Sequence, residues 1–149
     1  MKRLCVVLAA LLLAGCGEKV DMSPAPTDAA SKQQAADVAV RYVRALVAKD
    51  WATACATRTS GEQKRLADAG DGSCPKAFEQ LFKERPTTDR YVGARAGEVR
   101  IKGPFAGIDL IARDESGPRI TLGAVRENGE WRKREIGEEW RGGTERDDE

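Results

Sequence analysis

The chain has 149 residues, with 25 Lys and Arg against 24 Asp and Glu, and no His. A balance this even argues against a nucleic-acid binder or a polybasic membrane-surface protein, both of which present a basic face. Without His, neither a Ser–His nor a Cys–His pair is available for nucleophilic catalysis.

Residues 1–15 read as a signal peptide. Met1-Lys2-Arg3 is a basic end, and residues 4–13 form an apolar run. That run is about ten residues long, whereas a bilayer span needs roughly 20. Leu13-Ala14-Gly15-Cys16 closes it. These four residues resemble the lipobox of bacterial lipoproteins, in which the Cys becomes the first mature residue and carries acyl chains. The resemblance implies that Cys16 ties the protein to a membrane outside the cytoplasm. One chain binds only marginally, and two or more anchor stably. Loss of Lys2 and Arg3 leaves 23 basic residues against 24 acidic ones. Residues 16–30 are small, polar and Pro-broken, and read as a flexible tether.

Of the four cysteines, Cys5 leaves with the signal and Cys16 is used by the lipid. Cys55 and Cys74 remain, an even pair in an oxidising compartment, and are expected to form a disulfide. A metal site fails on ligand supply: there is no His, and the two thiols are not a C-x-x-C pair.

Ser31-Lys32-Gln33-Gln34 matches a capping box and predicts a helix start at Ser31. Ala35, Val38, Ala39, Tyr42, Val43 and Leu46 then follow at the spacing of one buried helical face. Asp50 reads as the N-cap of a shorter helix that carries Trp51 and Cys55 inward. Ser60-Gly61-Glu62-Gln63 is a further capping box, and Asp71-Gly72 breaks the chain. Cys74-Pro75 opens another helix, with Pro at its first position and Phe78, Leu81 and Phe82 on its apolar face. Arg85-Pro86 ends it.

The remainder reads as strands. Val99 and Ile101 alternate with charged neighbours up to a turn at Gly103-Pro104. In residues 105–112, Ile108, Leu110 and Ala112 share one face, and Phe105, Gly107, Asp109 and Ile111 the other. Residues 114–118 are a loop. Ile120, Leu122 and Ala124 alternate with Thr121, Gly123 and Val125. Asn128-Gly129 is a strong hairpin signal, with residues 131–136 as the returning strand. Residues 138–149 are a polar tail. Helices first and strands afterwards define an α+β domain over residues 31–137, with the helices packed on an antiparallel sheet.

Three pieces resemble the small nuclear-transport-factor-2-like (NTF2-like, SnoaL-related) lipoproteins of high-GC Gram-positive bacteria. They are the first helix running into Ala48-Lys49-Asp50-Trp51-Ala52-Thr53-Ala54-Cys55, Cys74 with the helix after it, and the hairpin Val125-Arg126-Glu127-Asn128-Gly129-Glu130-Trp131-Arg132. The resemblance implies a curved sheet with helices over its concave side, a cone that holds a small ligand or serves as an interaction surface. It also implies a place on the outer face of the cytoplasmic membrane. One departure is Lys133, two after Trp131, where that family usually has an apolar residue; it marks an edge strand or the lining of a wet cavity.

Enzymes of this fold use a His or Asp inside the cone as general base. Here Asp109 is the best remaining acid, in an otherwise apolar strand, although its face reads far more readily as the solvated outer one. Tyr42, Trp51, Phe78, Phe82, Tyr91 and Trp131 read as core, and the charges at residues 132–135 as a solvated sheet face. The expectation is a non-enzymatic, membrane-anchored module without cofactor or metal. It would bind a small apolar ligand or an envelope protein, and no nucleic acid. The alternative is a SnoaL-like enzyme using Asp109.

Overall fold

The computed structural model describes residues 20–84, 88–113 and 120–135. The signal peptide, Cys16, the loop at residues 114–118 and the polar tail lie outside the described residues. Four helices precede a four-stranded antiparallel sheet of order β1-β2-β3-β4. The α+β class and the order of parts are therefore as expected.

Helix α1 spans Ala29–Ala48. Its cap is Asp28, whose carboxylate accepts from the Ser31 amide at 2.7 Å, and not Ser31 as the capping-box pattern predicts. Ser31 is instead buried, and its Oγ accepts from the Trp131 indole Nε1 at 3.3 Å. α1 ends at Lys49, which takes the left-handed conformation (φ 56°). Asp50 then caps α2 (Trp51–Ala56) through the Thr53 amide, as its residue type predicts. α3 covers Ser60–Ala69, with Thr59 as its cap, one residue before the predicted box. α4 covers Cys74–Glu84, with Pro75 at its second position and not its first. The α3–α4 corner needs Gly70: a Cβ there would stand 2.6 Å from the Ala77 Cβ and backbone amide. A short turn of 3-10 helix, Asp89–Tyr91, leads into the sheet.

The strands are β1 Arg95–Lys102, β2 Phe105–Ile111, β3 Ile120–Glu127 and β4 Glu130–Arg134. At the β3–β4 turn Asn128 and Gly129 both have positive φ (53° and 82°), as a tight primed hairpin requires. β1 carries a bulge between Ala96 and Val99. The register puts Val99 opposite Ile108, Ile108 opposite Leu122 and Ala124 opposite Lys133. These residues share the face that α1 covers, and α1 touches all four strands. Asp109, Thr121 and Val125 belong to the distal face.

The edge of β4 is paired as well. Residues 57–59 run parallel to it, the Lys133 amide donating to Thr57 O (2.8 Å) and the Thr59 amide to Lys133 O (3.2 Å). The segment before α1 corrects the tether reading in part. Val20 bridges Glu127, the Asp21 amide donates to Arg126 O (3.0 Å), and the Ala25 amide donates to Gly103 O (2.8 Å). Ala25 is buried. From Val20 onward the chain is docked on the two-hairpin end of the sheet.

Candidate functional site

An NTF2-like cone would hold a ligand on the sheet face turned to the helices. Here α1 fills it. Ala35, Val38 and Ala39 pack with Ala106, Ile108, Ala124 and Trp131 in one buried cluster. Tyr42, Val43, Leu46, Phe78 and Leu110 form a second, flanked by Trp51 and Phe82. The six aromatics read as core therefore lie in or against these two clusters. A groove lies open beside the exposed side of α1. It is lined by charges of both signs, including Arg41, Arg44 and Arg95 with Asp37, Asp50 and Glu130.

Asp109 is on the distal face, away from that interior. It is not the solvated position its face suggested. It is buried, and its Oδ1 accepts from Arg100 Nη2 and Thr121 Oγ1, both at 2.8 Å. A carboxylate held by a guanidinium and a hydroxyl is well placed to cross-link three strands. Asp109 is not among the residues that line the groove beside α1.

Cys55 and Cys74 stand at disulfide distance, with Cα atoms 6.1 Å apart. α2 and α4 bring them together, both buried, beside the stacked rings of Trp51, Phe78 and Phe82.

The structure also assembles a polar centre that residue spacing does not reveal. Arg58, Glu62 and Lys133 are all buried, around Tyr42. The Arg58 guanidinium lies between the rings of Tyr42 (5.3 Å) and Phe78 (5.1 Å), and its Nη2 donates to the Tyr42 hydroxyl at 2.8 Å. Its Nη1 is 3.7 Å from Glu62 Oε2 and 3.8 Å from Glu135 Oε1. Glu62 Oε1 accepts from the Glu135 amide at 3.0 Å. The sequence at residues 59–62 has the Thr-x-x-Glu form of a capping box, but the Glu is turned to the end of β4. Lys133 Nζ lies 5.2 Å from the centre of the Tyr42 ring. Burial lowers its pKa to about 8, with the Arg58 charge acting in the same direction. Burial likewise raises the Tyr42 hydroxyl, against the opposing pull of Arg58.

Lys133 thus corrects the reading of residues 132–135 as a solvated face. The available signal was parity, since it shares a strand face with the buried Trp131. Arg58 Nε and Glu62 Oε2 are buried without a hydrogen-bond partner among the described residues. The cluster joins α1, residues 57–59, α3 and β4. Cations held on aromatic faces in a desolvated site are each worth about 1–2 kcal/mol, which helps offset the cost of burying charge.

No protein-family model matches the chain, and no curated protein or solved structure matches it.

Proposed function

We propose that the protein is a lipid-anchored lipoprotein of the cell envelope whose α+β domain is a binding module and not an enzyme. The anchor reading rests on Leu13-Ala14-Gly15-Cys16 behind a basic end and an apolar run. An oxidising compartment also suits a buried Cys55–Cys74 pair at disulfide distance. Among the described residues, no helix is long and apolar enough to cross a membrane.

One observation carries the binding reading: α1 covers one face of the sheet, in contact with all four strands. On the NTF2-like reading, a face filled in this way offers an outer interaction surface in place of a ligand cavity. The open groove beside α1 has mixed charge, which suits the polar rim of a protein partner better than a small apolar ligand. An envelope protein is accordingly the preferred partner. The SnoaL-like alternative gains nothing from the geometry, because Asp109 is engaged by Arg100 and Thr121 on the distal face.

Three measurements test this reading. Cys16→Ser should shift the protein from the membrane fraction to the medium or leave it uncleaved. Processed variant that stays with membranes would remove the anchor. Crosslinking on intact cells followed by co-purification should capture one or a few envelope proteins in stoichiometric yield. Turnover in a substrate screen that is abolished by Asp109→Asn, with the melting temperature kept, would overturn the binding reading.

A further inference from the structure

The docking of residues 20–28 changes what an anchor at Cys16 means. This inference rests on the lipid reading of Cys16 given above. A free tether over residues 16–30 would have fourteen peptide units and reach about 50 Å when extended. Because Val20 is already bridged to Glu127, only four units separate Cys16 from the folded domain, and they reach about 14 Å at most. Strand β1, from Arg95 to Lys102, is by itself about 23 Å long. A leash shorter than the sheet cannot let the domain turn over.

The attachment point also lies at one defined end. Both tight turns, Gly103-Pro104 and Asn128-Gly129, are there, together with Val20 and Ala25. Met22 sits in the same segment with 65% of its surface exposed, the largest exposure of any bulky apolar side chain among the described residues. The opposite end holds Leu110 and Ile120, the Cys55–Cys74 pair and α4. We infer that the two-hairpin end of the sheet is a membrane-facing surface, kept within about 14 Å of the bilayer by the chain from Cys16 to Val20, while the α4 end is presented outward.

The test uses the full lipid-carrying protein in phosphatidylcholine–phosphatidylglycerol vesicles that contain a headgroup-nitroxide lipid. A fluorescent amino acid replaces either Lys102, the last residue of β1, or Val92, three residues before its first. Both positions are exposed, so neither replacement disturbs the core. Quenching should be several-fold stronger at position 102. Equal quenching, or stronger quenching at 92, in vesicle-bound protein would overturn the orientation while leaving the anchor intact. Protein that fails to float with the vesicles would remove the anchor, and with it the orientation. Insertion of a flexible Gly-Ser segment of about twenty residues after Gly17 should abolish the contrast without loss of flotation. A contrast that survives the insertion would overturn the short leash as its cause.

Discussion

The two hydrophobic clusters beneath α1 are built from different residues. At the two-hairpin end alanines predominate, Ala25, Ala35, Ala39, Ala106 and Ala124, beside Val38 and Ile108, with Trp131 the single ring. At the other end they are Tyr42, Leu46 and Phe78, flanked by Trp51 and Phe82 and by the two cysteines. Small residues let a helix and a sheet approach closely, so the first region has little room to adapt. The second gains its area from rings and tolerates irregular fit, but every ring there carries a large share of the contact. The first should therefore respond most to added volume and the second to removed volume. The charged centre at Arg58, Glu62 and Lys133 lies on the aromatic side, where ring faces are available to hold cations.

The sharpest break in this contrast is Phe78→Ala. Phe78 is 1% exposed and contacts Tyr42, Trp51, Phe82 and the Arg58 guanidinium. Its truncation should cost about 3–5 kcal/mol in a urea titration. A loss under about 1 kcal/mol would mean that the neighbouring rings collapse into the space. Next comes the double variant Cys55→Ala, Cys74→Ala. A bridge closing 19 residues should be worth about 3 kcal/mol, and intact mass with and without reductant should show the matching two-hydrogen difference in the parent protein. Two thiols that alkylate freely before reduction would remove the bridge. On the small-residue side, Ala39→Leu adds volume at a buried contact and should cost about 1–3 kcal/mol. The same change at the exposed Ala52 should be close to neutral.

The smallest effect is a pH dependence. The pKa of Lys133 in the folded chain is about 8, lowered from 10.5. Burying the charged form therefore weakens the fold below about pH 8, and that cost is relieved as pH rises towards the unfolded value. Stability should increase by about 1 kcal/mol between about pH 7 and about pH 9. Tyr42, raised above its usual value, stays protonated in this window. Lys133→Met should flatten the rise. A rise that persists unchanged in that variant would assign it to another group.

What can be read from local spacing is set by local physics. The stripe from Ala35 to Leu46, the Asp50 cap, the positions of β2 and β3 and the Asn128-Gly129 turn involve residues a few positions apart, and each is found where its pattern places it; the alternation in those two strands is not, since both faces of β2 are buried. The Cys55–Cys74 pair, expected from an even count, stands at disulfide distance. The rest depends on contacts that spacing does not encode. Ser31 has the residue type of a cap, yet its hydroxyl serves Trp131, 100 residues away. Lys133 looks like a surface charge, but strand parity and the fit of α1 place it under Tyr42. Asp109 is a strand acid whose environment is decided by Arg100 and Thr121 on neighbouring strands. Composition makes residues 20–28 look free, and only the end of β3 that runs past β2 and the turn at Gly103 supply the partners that hold them. Hydrogen bonding and burial depend on what lies opposite in space, and that is decided when the helices and the sheet come together.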